Sequence, residues 1–225
     1  MRLLAALFVL WGFLTGFSLP DSHAKYQEAK DAYQVAHRLA LNEDVENAAG
    51  QWERVASLAT RMFGAAYEIS SNEGPAAIEF AEEAKAEAEC EVKEAVLADA
   101  ARAYVDAARR AQTADDWRSV VAFAARRLRA STDLPLSVEN REGKIQDAKD
   151  AKAEAKAELK EAAYNEILSA FKEKRKSASS AEEWNDVAKA ALDMQAAAAD
   201  LPDDKRVAAV EFAEKAEEKA ERKAK

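Results

Sequence analysis

Apolar positions along the chain recur with the spacing of one face of an α-helix. After Trp52, Trp117 and Trp184, apolar residues follow at steps of three, four and seven, which is typical of an amphipathic helix. The stripes are Trp52, Val55, Ala56 and Ala59; Trp117, Val120, Val121 and Ala124; and Trp184, Val187, Ala188 and Ala191. Each stripe predicts a helix with one buried face and a tryptophan near its start.

The same landmarks return three times along the chain. The three tryptophans recur at nearly equal intervals, a tyrosine lies upstream of each, and a proline, which suits a helix start, lies downstream. The tyrosines are Tyr33, Tyr104 and Tyr164, and the prolines are Pro75, Pro135 and Pro202. The recurrence of these residues predicts three repeats, at approximately 26–92, 93–160 and 161–225.

The helix starts and stops predict an all-α fold. Thr113 with Asp116 and Ser180 with Glu183 form capping boxes, and no segment has the alternation of a strand. The predicted helices span about 26–46, 48–70, 75–112, 114–131, 137–176, 180–199 and 203–224. Because short turns join them, we expect tandem antiparallel helical-hairpin repeats that form an elongated bundle or a short solenoid.

Composition supports long helices and excludes other classes of protein. The 225 residues include 55 alanines but only 6 Gly, 4 Pro and 1 Cys. A disulfide scaffold and a β-rich domain are therefore excluded. The net charge of −9 disfavours a nucleic-acid partner.

The segment from Met1 to Ala24 has the pattern of a secretory signal peptide. Arg2 precedes an almost wholly apolar run from Leu3 to Leu19, and Ser22-His23-Ala24 offers small residues for cleavage. We expect cleavage near Ala24 and an exported protein, periplasmic, secreted or at the cell surface, with one domain over 25–225 and no membrane contact afterwards. The alternative is an uncleaved N-terminal anchor.

One segment resembles a known helical repeat. Tyr104, Ala107, Ala108 and Ala111 match the first helix of a tetratricopeptide hairpin, and Pro135 closes a unit of suitable length. Arg127 and Thr132 depart from that pattern in the second helix. The sequence therefore assigns no family.

No catalytic, cofactor-binding or metal-binding residues are predicted. His37 is the one histidine after the cleavage site, and the chain has no Cys-His pair, glycine-rich phosphate loop or EF-hand loop. We expect the three tryptophans and three tyrosines to be core residues, with Trp117 the most costly to remove. The alternative is an aromatic binding platform.

Two features could bind a partner. The segment from Ala100 to Ser131 contains seven arginines and three aspartates, a local net charge of +4 that could dock an acidic protein or another copy. The candidate docking residues are Arg109, Arg110, Arg118, Arg126, Arg127 and Arg129. The alternative is helix-dipole and ion-pair support. Cys90 is a candidate intermolecular thiol, or an inert one.

These observations favour a non-enzymatic protein without cofactors. Tandem helical hairpins expose long faces, which suits a protein-interaction scaffold that binds a protein partner. The alternative is a structural or surface-coat protein of the cell envelope, for which self-association is expected.

Overall fold

The computed structural model describes residues 22–42, 48–70 and 72–225, and these residues form seven α-helices without a strand. The all-α class is therefore confirmed. The helices are α1 Ser22–Asn42, α2 Ala48–Tyr67, α3 Gly74–Arg110, α4 Ala114–Thr132, α5 Arg141–Ser177, α6 Ala181–Ala199 and α7 Asp203–Ala224. The signal-peptide prediction falls mostly on residues 1–21, and the predicted end of the first helix on residues 43–46, all outside the described residues. Helix α1 begins at Ser22, one turn before the predicted start.

The chain divides into two compact units, with the boundary between Val96 and Leu97, inside α3. In the first unit, one hydrophobic cluster joins α1, α2 and the first part of α3. Helix α3 contributes alanines at steps of four, three, four and seven, and small side chains allow helices to approach closely. Larger side chains of α1 and α2, among them Tyr33, Trp52 and Met62, fill the space opposite them. The alanines are Ala77, Ala81, Ala84, Ala88 and Ala95.

The second unit contains two hydrophobic clusters. In one, Tyr104 of α3 packs with Val120 and Ala124 of α4 and with Ala151 and Ala155 of α5. The other joins the second half of α5 to α6 and α7 around Phe171, Val187, Met194 and Ala213. Helix α5 thus serves both clusters with different parts of its length.

Both predicted capping boxes are present. The Thr113 hydroxyl accepts a hydrogen bond from the Asp116 N–H, and the Ser180 hydroxyl accepts one from the Glu183 N–H. The carboxylates accept bonds in return from backbone N–H groups, which stabilises their charged form and lowers the pKa of both, that of Glu183 to about 2. Local sequence thus determines where α4 and α6 begin.

Helix α5 begins at Arg141, one turn later than predicted. Asn140 adopts left-handed backbone angles, with φ 54°, and a Cβ on Gly143 would overlap the Asn140 side chain. The Arg141 guanidinium donates to the carbonyls of Leu134, at 2.9 Å, and Thr132, at 3.0 Å. These bonds satisfy carbonyls at the end of α4, so the loop after Pro135 is a helix cap and not the first turn of α5.

Candidate interaction grooves

The pair α1 and α2 carries an open groove on the flank that α3 does not cover. The two helices run antiparallel, because Lys25 near the start of α1 pairs with Glu68 just after the end of α2, at 3.1 Å. The groove consists of two depressions of about 370 and 630 Å³ that share Ala32 and Leu58. Val35 and Leu39 line it and are 54% and 53% exposed. An apolar patch at the α1 edge of the groove is therefore open to solvent.

Opposite charges border the two sides of this groove. Glu28 and Asp31 stand on the α1 side, and Arg54 and Arg61 stand on the α2 side. Lys25 and Glu68, whose charges are opposite to those of their own sides, pair with each other at one end of the groove. Asp31 accepts a hydrogen bond from Gln27, at 2.9 Å. Within the described residues, Glu28, Arg54 and Arg61 form no ion pair. Beyond this paired end, Glu28 and Asp31 form an acidic wall and Arg54 and Arg61 form a basic wall, and Val35 and Leu39 continue the α1 edge as an apolar patch.

A second groove separates the end of α3 from α4. Its volume is about 390 Å³, and Asp106, Arg110 and Phe123 are among the residues that line it, together with Ala103 and Ala107. Charged side chains are therefore part of its lining.

A third groove, of about 450 Å³, lies between α5 and α6. Ile167, Ala170 and Ala190 are among the residues that line it. Neither the second nor the third groove exposes a pair of large aliphatic side chains in the way that the first groove does.

The last groove lies between α5 and α7 in the second unit and measures about 570 Å³. Tyr164, Leu168 and Phe212 line its apolar part, and Phe212 is partly exposed. An ion pair between Lys205 and Glu161 crosses it, and this pairing raises the Lys205 pKa. Lys205 and Glu161 are therefore already paired within the chain.

The six candidate docking arginines are distributed around α3 and α4. Arg118 pairs with Asp115, and Arg129 lies 3.9 Å from Asp133. Arg110 donates to its own helix at the Asp106 carbonyl, while Arg109 is exposed. These local contacts use guanidinium N–H groups that would otherwise be available to a partner.

Two of the arginines lie over aromatic rings. The Arg126 guanidinium is 5.5 Å from the Phe123 ring, and that of Arg127 is 5.8 Å from the Tyr104 ring. Arg127 stands at the position of α4 that corresponds to the buried Met62 and Met194 in the other tryptophan helices. Arg127 therefore covers the α4 core where a methionine would fill it.

The single histidine of the predicted mature chain lies in an aromatic cluster. His37 contacts the rings of Tyr33 and Trp52, each at 5.5 Å between centroids, and its Nε2 is 3.5 Å from the Glu87 carboxylate. Burial and the Glu87 charge raise the Tyr33 pKa. Cys90 lies one turn further along α3 and is half-buried. This cluster ties α1 and α2 to α3.

The tryptophans do not share one degree of burial. Trp52 is 6% exposed, whereas Trp117 and Trp184 are half-buried, and Lys223 lies 4.4 Å from the Trp184 ring centre. This order of burial favours Trp52, and not Trp117 as expected from the sequence, as the tryptophan that is most costly to remove. Val35 and Leu39 were not predicted as site residues, although their separation by one helical turn on an amphipathic helix is visible in the sequence.

Within the described residues, no three His, Cys, Asp or Glu side chains are grouped as a metal site would require. None of the described helices has an apolar stretch long enough to cross a membrane. Comparisons with protein families, with curated proteins and with solved structures find no match for this chain.

Proposed function

We propose that this chain is an exported, non-enzymatic helical-repeat protein that acts as a protein-interaction scaffold. The observation that carries the proposal is the set of open grooves, one on each of three helix pairs: α1 with α2, α3 with α4, and α5 with α6. Repeated helix pairs that expose such faces are suited to binding extended protein partners.

The burial pattern along the tryptophan helices supports three repeats. One turn after each tryptophan, a valine is almost completely buried, and one turn later an alanine is completely buried. The residues are Val55, Val120 and Val187, and then Ala59, Ala124 and Ala191.

A second correspondence links the later two tryptophan helices. Leu134 and Leu201, which hold the same position relative to Trp117 and Trp184, are both buried. The carbonyl of each accepts a hydrogen bond from an arginine of the following segment, Arg141 or Arg206. Each of these two helices is therefore followed by a buried leucine whose carbonyl accepts a hydrogen bond from an arginine.

The shifted pKa values of the described residues have structural causes. Shifted pKa values mark many active sites. In the part of the chain that the structure describes, the groups with shifted pKa values are four tyrosines, two capping carboxylates and Lys205, which pairs with Glu161. Burial together with nearby charges, capping or that ion pair accounts for each shift.

The core of the first unit is compatible with export and cleavage near Ala24. A chain that begins at Lys25 keeps the Lys25–Glu68 ion pair and retains the buried Tyr26. It loses the contact between His23 and Glu73, whose side chains are 50% and 72% exposed, so little stability depends on it. Mass spectrometry of the exported protein would give an N-terminus at or near Lys25, and an intact Met1 on membrane-extracted protein would indicate the anchor instead.

The test of the scaffold role is a comparison of partner capture with self-association. Purified mature protein is analysed by light scattering across a concentration series, and the tagged protein is used in parallel to capture partners from the extracytoplasmic fraction. A scaffold gives a discrete partner at a fixed stoichiometry. Self-association without a partner would contradict the scaffold and favour the structural or surface-coat protein.

A further inference from the structure

We infer that the groove between α1 and α2 binds an amphipathic helix of a partner protein, with basic residues on one flank of that helix and acidic residues on the other. The inference deepens the proposed function, on which it rests, by naming the groove and the chemistry of its occupant. Its elements are the exposed side chains of Val35 and Leu39 and the two oppositely charged walls.

The apolar patch of Val35 and Leu39 is specific to the first pair of helices. Aligned on Tyr33 and Tyr104, Val35 and Leu39 correspond to Asp106 and Arg110 in the second groove. There, polar residues stand where solvent meets the helix, as expected of a face that stays hydrated. Large aliphatic side chains that remain about half exposed at the same positions indicate a face that becomes covered.

The molecule itself shows what covers a face of this helix pair. On the other flank, α3 packs with small residues at steps of four and three, from Ala77 through Ala81 to Ala84. A partner helix with an apolar stripe at similar spacing therefore fits the open flank. From Lys25 to Leu39 the groove extends about 21 Å at 1.5 Å per residue, which is the length of about four helical turns.

The charged walls define the flanks of that partner helix. Glu28 and Asp31 on α1 attract basic side chains, while Arg54 and Arg61 on α2 attract acidic ones. A helix with one basic and one acidic flank satisfies both walls in one of its two directions. A helix with two basic or two acidic flanks meets repulsion along one wall in either direction. The walls thus select the charge pattern of the partner and its direction.

A synthetic helical peptide with a length of about four turns is a direct probe, because it matches the length of the groove. It carries leucine and alanine on one stripe, lysine on one flank and glutamate on the other, and it is compared with all-lysine and all-glutamate versions of the same stripe. We expect the mixed peptide to bind the full mature chain roughly fivefold more tightly than either comparison peptide. Methyl NMR signals of Val35 and Leu39 should shift on binding.

Variants of the apolar patch test the location of binding. Val35→Asp combined with Leu39→Arg gives the first groove polar residues at these two positions, as in the second groove, and should weaken binding at least about tenfold. Because both positions are exposed, circular dichroism and the urea midpoint should stay unchanged. Leu192→Arg, at a leucine of α6 that is 48% exposed outside these grooves, is the matched control and should have no effect.

Variants of the basic wall test its charge. Arg54→Glu with Arg61→Glu makes both walls acidic, so the preference should change from the mixed peptide to the all-lysine peptide. Equal binding of all three peptides to the unaltered chain would overturn the assigned charge pattern. Binding that the Val35→Asp, Leu39→Arg variant leaves intact would overturn the assigned groove.

Failure of the inference can be distinguished from failure of the scaffold. A partner captured equally well by the Val35→Asp, Leu39→Arg variant would leave the scaffold in place and overturn the groove assignment. Self-association of the chain that Leu39→Arg abolishes would identify the occupant as a second copy. That result would overturn the inference that a partner helix occupies the groove. If no other protein were captured, it would also overturn the proposed scaffold role.

Discussion

Replacement of Trp52 by alanine should be the most destabilising of the three tryptophan substitutions. The indole is 6% exposed within the cluster of α1, α2 and α3. A tryptophan that buries roughly 200 Å² contributes about 5 kcal/mol at about 25 cal/mol per Å². The alanine that remains recovers a small part of this, so we expect a loss of about 4 kcal/mol, within the range for buried Trp→Ala changes.

Contacts between the Trp52 indole and its neighbours add stabilising free energy that the estimate from buried area does not include. The indole meets the His37 ring edge to face, with the planes inclined at 82°. Such aromatic pairs contribute about 0.5–1.5 kcal/mol beyond their buried area. A double-mutant cycle with Trp52→Leu and His37→Leu should therefore show a coupling of about that size.

The other two tryptophans provide the comparison. Trp117 and Trp184 are half-buried, so Trp→Ala at either position should cost about 2–3 kcal/mol. Alanine is the best helix former, so helix propensity cannot account for losses of this size.

Urea denaturation of the mature chain, followed by circular dichroism, gives the three free energies of unfolding. Variants with a single tryptophan give the fluorescence of each indole, and Trp52 should emit at the shortest wavelength. If Trp117→Ala proved the most destabilising, or if Trp52 emitted like an indole in water, the assigned burial would be refuted.

Substitutions at two glycines, at Glu183 and at Cys90 have distinct expected outcomes. Gly64→Ala should stabilise the chain by about 0.5–1 kcal/mol in thermal melts, because no atom lies within 4 Å of the new Cβ. Gly74→Ala should destabilise it, because there the Cβ would lie 2.7 Å from the Ile69 carbonyl oxygen. The folded pKa of Glu183 is lowered to about 2, so its contribution is complete above the ordinary value of 4.5 and is lost as the pH falls toward 2. Glu183→Gln should remove this part of the pH dependence in acid titrations of stability, and an unchanged slope would contradict the capping interaction. Because Cys90 is half-buried, non-reducing gels should show monomer, and a dimer abolished by Cys90→Ser would identify it as the intermolecular thiol.

The helices could be predicted from the sequence where their signals are local. Thr113 and Ser180 cap helices through residues three positions away, so both boxes could be identified from neighbouring residues alone. The start of α5 could not be predicted from neighbouring residues, because it depends on the left-handed backbone angles of Asn140 and on the carbonyls to which Arg141 donates across the loop.

The candidate sites were harder to predict because burial depends on neighbouring helices. Along α4, the position of Arg127 indicated a surface cation, yet its guanidinium lies over the Tyr104 ring of α3. Val35 and Leu39 belong to the apolar pattern of α1, and only the position of α3 shows which flank is left open. Sequence periodicity identifies an apolar face but does not show what covers it.

More than half of the buried apolar residues that the structure describes are alanines, which changes how the chain can be probed by mutation. Alanine scanning leaves these positions untouched and so reports nothing about the closest helix contacts. The informative scan is one that enlarges side chains. At Ala81, Ala124 or Ala213, which are completely buried, valine or leucine would force the helices apart at a typical cost of about 1–3 kcal/mol. Genetic variation in such a protein should therefore be limited more by added volume than by lost volume.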